Sequence, residues 1–280
     1  MARLDAEIVS PELSDAVCGV VAETARNEIL PRFGALTTGD VQEKAPGDLV
    51  TTADRAAEAV LTTRLTALLP GSVVVGEEAV AGDPALLGAL GGGDPVWIID
   101  PIDGTHNFVG GDPRFAVLVA LAKDGEPLAS WTYEPVSGVM ATAIRGGGAF
   151  SGGRRLTVRP AGGRLRGLDV VTSRPRWWDE PNRPGHDALI SHGAALSYIT
   201  TAGLEYAAMA AGRRDAMVCV WEDPWDHAAG LLLHHEAGGV AITADGASVD
   251  ITGDNALPFV CAPDLATARR INQVIPRARP

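Results

Sequence analysis

Twelve residues, Trp97 to Phe108 (WIIDPIDGTHNF), constrain this chain more than any other stretch. Val96-Trp97-Ile98-Ile99 is a continuous apolar run, which predicts a buried strand. It runs straight into Asp100-Pro101-Ile102-Asp103-Gly104-Thr105, and in α/β sheets ligands sit beyond the carboxyl ends of the strands. Pro101 has no N–H and stiffens the link between the two acids. A tight turn there brings Asp100, Asp103 and the Ile102 carbonyl together as oxygen donors for a hard cation. Gly104-Thr105 then opens a short turn whose free amides can hold a phosphate. The plain alternative makes Asp103-Gly104 a simple turn and Asp100 a cap, and it leaves the other acids of the chain unexplained.

Two of those acids stand in the same setting. Glu77 follows the apolar run Val73-Val74-Val75, and Asp226 follows Trp225 and opens the apolar helix Ala228 to Leu233. Each alone reads as a cap or turn acid. Together with Asp100 and Asp103 they form one group at a sheet edge, and such carboxylates repel unless a cation neutralises them. Mg²⁺ suits an oxygen site completed by substrate phosphate. Two such ions about 4 Å apart can activate water and stabilise a leaving oxygen. Asp54 opens a second helix after Leu49-Val50-Thr51-Thr52-Ala53. It either caps that helix or pairs with the Thr105 hydroxyl to orient a water and take its proton.

The rest of the chain alternates strands and helices, which argues for an α/β protein. Helical spacing of Val17, Val20, Val21, Ala25 and Ile29 predicts a helix over 11–35, with Ser10 or Ser14 as its cap. Residues 34–47 read as a loop or short hairpin, and 53–69 as the second helix. Successive strands follow at 116–122, 127–133 and 138–143, the first two joined at Lys123-Asp124-Gly125-Glu126. Residues 82–94 read as loop with one turn of helix. Further strands are expected at 168–172, 216–220, 240–243, Ile251 and 258–261. Helical segments are expected within 186–212, at 225–236 and at 264–275. Trp177-Trp178 falls in a Pro-rich loop. The expected domains are 1–150, an α+β lobe with most metal ligands, and 151–280, an α/β lobe with Asp226 and the substrate-selecting region.

Charge narrows the partners. The chain has 23 Lys+Arg against 35 Asp+Glu, a net charge of −12. So acidic a surface does not wrap duplex nucleic acid, which demands phosphate neutralisation. The three cysteines, Cys18, Cys219 and Cys261, form no CxxC and no disulfide framework. No apolar run suits a secretory leader or a membrane span, so the expectation is a cytoplasmic enzyme with no membrane partner.

Four segments in order resemble the inositol monophosphatase family of Mg²⁺-dependent, Li⁺-sensitive phosphatases: Asp48 to Asp54 (DLVTTAD), Gly76-Glu77-Glu78, Asp100 to Thr105 (DPIDGT) and Trp225 to Gly230 (WDHAAG). The resemblance implies a layered αβαβα sandwich, with an α+β first lobe, an α/β second lobe and the active site between them. It implies a first ion on Glu77, Asp100 and the Ile102 carbonyl, a second on Asp100, Asp103 and Asp226, and a third, weaker ion at Glu77. Thr105 with Asp54 would activate water, and the phosphate would lie over Gly104-Thr105. Lys44 matches a basic residue that precedes the second helix in the family. A homodimer is implied too.

The pattern departs where the leaving group would be read. The region matching the family's Gly-Ser/Thr-Ala run is Thr201-Ala202-Gly203, so Ala202 and Gly203 are expected at the substrate. The position of the family's substrate-contacting acid holds Cys219, with Glu222 and Asp223 nearby as replacements. The expected function is Mg²⁺-dependent hydrolysis of a small-metabolite phosphate monoester, on the pattern of an inositol monophosphatase. The alternatives are a histidinol-phosphate or 3′-phosphoadenosine-5′-phosphate phosphatase, or a non-catalytic homologue that acts in binding or assembly. His106 beside Thr105 reads as pocket lining or bland surface, and His227 and the pair His234-His235 as structural.

Overall fold

The structure, a computed structural model, describes residues 8–275 apart from 163–164, 176–177 and 179–182. Trp177 therefore lies outside the described residues. In chain order the helices are α1 (Pro11–Thr24), α2 (Thr52–Leu68), α3 (Glu77–Gly82), α4 (Thr105–Val109), α5 (Arg183–Ser191), α6 (Ala202–Ala210), α7 (Pro224–Glu236) and α8 (Leu265–Val274). A hairpin of β1 (Val41–Ala45) and β2 (Asp48–Thr51) precedes α2.

The larger sheet has seven strands in sequential order: β3 (Val73–Gly76), β4 (Val96–Asp103), β5 (Ala116–Lys123), β6 (Glu126–Glu134), β7 (Val139–Ile144), β8 (Gly148–Ser151) and β9 (Arg154–Arg155). Only β3 and β4 run parallel in it, and the rest is an antiparallel meander. The smaller sheet has five strands, β10 (Asp169–Thr172), β11 (Ala195–Tyr198), β12 (Ala216–Cys219), β13 (Val240–Ile242) and β14 (Phe259–Ala262), in the order β11-β10-β12-β14-β13. Its β10 is parallel to both neighbours, and β14 is antiparallel to both of its own.

Apolar faces stack these elements into five layers. Leu61 and Leu65 of α2 and Val17 and Val21 of α1 bury against Trp97, Val119 and Trp131 on one face of the large sheet. Each fully buried aliphatic side chain of this kind contributes about 1.5–3 kcal/mol. The other face, through Val75, Ile98, Leu118 and Ala120, receives Ala228 and Ala229 of α7. Tyr206 and Met209 of α6 pack onto Val171, Met217 and Phe259 of the small sheet. The outer face of that sheet is closed by Leu189 of α5 and Ile271 of α8. The middle helices α6 and α7 thus touch both sheets. No helix among the described residues is long and apolar enough to cross a membrane.

Several boundaries differ from the sequence expectation. The first helix is regular only to Thr24; a π turn (Ala25–Ile29) and a 3-10 turn (Leu30–Arg32) follow. Pro31 lacks the N–H that another α-helical turn requires. Ser10 is its cap, accepting from Leu13 N at 3.1 Å. β4 does not stop at Ile99 but continues through Asp103, with a register irregularity between Asp100 and Asp103. The short strand β11 falls inside a stretch expected to be helical, and Ile251 is in a turn rather than a strand. A division at residue 150 would cut β8, because the large sheet runs on to Arg155.

Candidate active site

β4 is buried along its whole length, between parallel β3 and antiparallel β5. Its last residues therefore emerge at a fixed place. Pro101 cannot donate to the ladder, and a bulge at this point re-aims the side chains that follow. Asp100 turns back on its own strand, with Oδ1 accepting from Ile102 N at 2.9 Å. Asp103 reaches across to α6, where its two oxygens accept from Ala202 N (2.9 Å) and Gly203 N (2.6 Å). Gly104 follows at φ +94°, and a Cβ there would stand 2.6 Å from Thr201 Oγ1, so glycine is demanded twice over.

Asp226 comes from the first turn of α7. Its Oδ2 accepts from the indole Nε1 of Trp221 at 2.7 Å. One carboxylate oxygen each from Asp100, Asp103 and Asp226 lies within 4.8 Å of the other two. Burial, followed by mutual repulsion, pushes Asp100 and Asp226 far above the usual carboxylate range. Burial raises Asp103 to about 7 despite the opposing Gly203 and Ala202 amides. This is the donor set of a hard divalent cation: crowded carboxylates, each with lone pairs left over, and no Lys or Arg hydrogen-bonded to any of the three among the described residues. The residues present therefore fit Mg²⁺.

Glu77 opens α3 at the end of β3 and is turned toward a lysine. Lys44 Nζ lies 2.6 Å from Glu77 Oε1, 3.0 Å from Glu78 Oε1 and 3.8 Å from Asp48 Oδ1. Burial alone would lower the Lys44 pKa, but Glu77 and Glu78 reverse this and hold it above its ordinary value. Burial raises Glu77 to about 7, against the pull of Lys44. Glu58 of α2 caps α3 by accepting from Glu78 N and Ala79 N, both at 2.8 Å. That role was not read in the sequence. An acid on the buried stripe of α2 is the signal that could have found it.

Asp54 caps its helix and also lies near Thr105. Its Oδ2 accepts from Thr51 N (2.9 Å) and Thr51 Oγ1 (2.5 Å), completing a capping box at the start of α2. Its Oδ1 lies 3.4 Å from Thr105 Oγ1, which also donates to the Ile102 carbonyl at 3.0 Å. Burial raises Asp54 to about 6, with the Thr51 hydrogen bonds opposing.

Glu77, Asp100, Ile102 and Asp226 border a cavity of about 550 Å³ that also meets Lys44, Asp48, Thr200, Asp223 and Trp225. Gly104, Thr105 and His106 line it as well; the His106 Nε2–H donates to the Gly47 carbonyl at 2.8 Å and ties the β1–β2 hairpin to the site. Three residues expected at the substrate are placed otherwise. The amides of Ala202 and Gly203 are spent on Asp103, and Gly203 abuts Leu118, to which a Cβ would come within 2.3 Å. Cys219 is fully buried among Tyr206, Phe259 and Cys261, because β12 is buried on both faces. Glu222 is engaged by Asn255, whose N and Nδ2 donate to Oε2 at 2.9 and 2.7 Å. Asp223 lines the cavity. His227 is buried, shares a hydrogen bond with Tyr206 (3.0 Å) and is pushed down to about 3 by burial, so it remains neutral. His234 donates to the Ala262 carbonyl at 3.0 Å in the core and lines no part of this cavity.

The family profile described as the inositol monophosphatase family matches residues 11–275. An inositol-1-monophosphatase of Mesorhizobium japonicum is 37% identical over 228 residues, 76% of this chain and 79% of that protein. The Nus factor SuhB of Pseudomonas aeruginosa is 36% identical over 229 residues, 78% of this chain and 81% of its own. Among solved structures, the extragenic suppressor protein suhB of Bartonella henselae superposes with a TM-score of 0.80 at 27% identity, covering 94% of this chain and 98% of that one.

Proposed function

The chain belongs to the inositol monophosphatase family, and from that premise we propose that it hydrolyses a small-metabolite phosphate monoester, with water as nucleophile and Mg²⁺ as cofactor. The observation that carries this reading is the trio of Asp100 and Asp103, both buried, and half-buried Asp226, crowded together with no Lys or Arg bonded to them among the described residues. Buried carboxylates so arranged are costly, and a fold that only needed to bind a partner has no use for them. Glu77, Asp100 and the Ile102 carbonyl would hold a first ion, and Asp100, Asp103 and Asp226 a second. A third, weaker ion at Glu77 and competition by Li⁺ belong to the same proposal. Bound there, Mg²⁺ would polarise the phosphoryl group, acidify the attacking water and take up charge on the leaving oxygen.

The protein's own groups do the remaining work. The Thr105 hydroxyl is fixed by the Ile102 carbonyl and faces Asp54. Between them they orient a water, and Asp54, raised to about 6, accepts its proton near neutral pH. The first-turn amides of α4, at Gly104-Thr105, lie toward the phosphate. Asp103 keeps α6, and so the second lobe, in register with the first. The two lobes divide the labour, the first supplying Asp54, Glu77, Asp100, Asp103 and Thr105 and the second Asp226 and the leaving-group side. A homodimer in the cytoplasm, without nucleic-acid or membrane partners, completes the proposal.

The deciding experiment measures phosphate release with and without Mg²⁺ from inositol 1-phosphate, histidinol phosphate, 3′-phosphoadenosine 5′-phosphate and glycerol 2-phosphate. Release that stops on chelation is the expected result. No release from any ester would favour the binding or assembly role instead, the class of function that the name of the Pseudomonas relative suggests.

A further inference from the structure

Asp223 is the first residue to ask about on the leaving-group side of the cavity. It occupies the N-cap of α7, where an aspartate ordinarily accepts from the amides of the first turn, yet its side chain makes no such bond. Its carboxylate has no hydrogen-bond or ion-pair partner among the described residues, and it opens onto the cavity. Glu222, its neighbour, is held by Asn255 and points elsewhere. Asp223 is exposed at the mouth; partial desolvation by the protein beneath it, with the nearby charges of Asp48 and Glu222, raises its pKa.

The charges around it set the field. Besides the acids assigned to ions, the described cavity lining holds Asp48 and Asp223 as anions and Lys44 as the one Lys or Arg. Lys44 is committed to Glu77, Glu78 and Asp48. His106 spends its Nε2 on the Gly47 carbonyl. A second phosphate on the leaving group would therefore meet two carboxylates and, among the described lining residues, no uncommitted Lys or Arg, and like charges brought together in a concave mouth repel. A hydroxyl or ammonium would meet an unpaired acceptor.

We propose that Asp223, with Asp48 across the mouth, selects the leaving group: the substrate is a monoester of a polyol or amino alcohol that carries one phosphate and offers a hydroxyl or ammonium to the Asp223 carboxylate. This rests on the phosphatase reading and gives it a substrate class. It also places the selecting acid at a different position from Cys219, where the family pattern led the sequence reading to look.

The test compares kcat/KM for O-phosphoethanolamine, glycerol 2-phosphate and fructose 1,6-bisphosphate in the wild-type protein and in Asp223→Asn, with Mg²⁺ present. In the variant the preference for O-phosphoethanolamine over glycerol 2-phosphate falls about tenfold, most of it in KM. The preference for the bisphosphate over glycerol 2-phosphate rises several-fold. Asp48→Asn shifts both ratios in the same directions by less, and serves if the first variant does not fold. Both ratios staying within twofold of wild type, with all three esters turned over, would overturn the inference and leave the phosphatase reading intact. No phosphate from any of the three in the wild-type protein would overturn both.

Discussion

Asp169, Glu205 and Asp215 stand in the second lobe with arginines among them, whereas Asp100, Asp103 and Asp226 stand at the junction of the lobes with none. In the first group Arg214 donates to Glu205 (2.6 Å), Asp169 (2.8 Å) and Ser197 (2.9 Å), while Arg159 donates to Asp215 (2.5 and 3.0 Å). In the second, the donors are amides and one indole, which orient the carboxylates without cancelling their charge. The two groups are close enough for Glu205 to raise the pKa of Asp103. One molecule therefore holds an acid network in which every carboxylate meets an arginine beside one in which, among the described residues, none does. Only the second requires something from outside the chain, which is why acid density alone does not mark a site.

Removing one charge from each group breaks the comparison most sharply. Asp100→Asn should lower kcat/KM by about two to three orders of magnitude, the scale of losing one preorganised electrostatic contact. The metal-free variant should melt no lower than the wild type, since a carboxyl crowded against Asp103 and Asp226 has become a neutral amide. A lower melting temperature without metal would mean that this crowding does not destabilise the metal-free fold. Arg214→Met should do the opposite, costing about 2 kcal/mol of stability, the worth of charge-assisted hydrogen bonds, with little loss of Mg²⁺ affinity. Urea denaturation reads the first quantity and calorimetry the second.

Trp221→Phe sharpens the contrast more gently. The ring stays and the Asp226 donor goes, so Mg²⁺ should bind about tenfold more weakly by calorimetry. Unchanged affinity would show that Asp226 needs no help in orientation. The smallest effect is in pH. In the metal-free protein Glu77 and Asp103 are raised to about 7 and Asp54 to about 6, well above their unfolded values. The folded state then binds more protons than the unfolded one between about pH 4 and 7. Stability without metal should therefore rise on going from pH 8 to pH 5, by at least about 1 kcal/mol or a few degrees in Tm. Saturating Mg²⁺ should flatten this slope, because the bound ion requires the same groups deprotonated. A metal-free protein that loses stability over that interval would contradict the raised values.

The sequence carried what short-range chemistry dictates. Val96 to Ile99 announced a buried strand, the Asp-Pro-Ile-Asp-Gly-Thr run announced its acidic end, and Trp225-Asp226 announced another acid opening a helix. Linear spacing does not tell that β12 is buried on both faces, Cys219 with it, or that the Ala202 and Gly203 amides meet Asp103 on arrival. Glu58 and Trp221 were legible only as residues. Each acts on a group from a different element, Glu58 on α3 and Trp221 on Asp226, so their roles exist only after the layers close. Lys44 was matched by its place before the second helix, but its grip on Glu77 and Glu78 depends on how the hairpin folds over β3.

The bond from Asp103 to the start of α6 has a mechanical consequence. A carboxylate of the crowded trio is also the latch between β4 and α6, so the spacing of the trio and the seating of α6 cannot change independently. A substitution that lifts α6 off β4 would therefore disturb the acid trio without touching any of its three members.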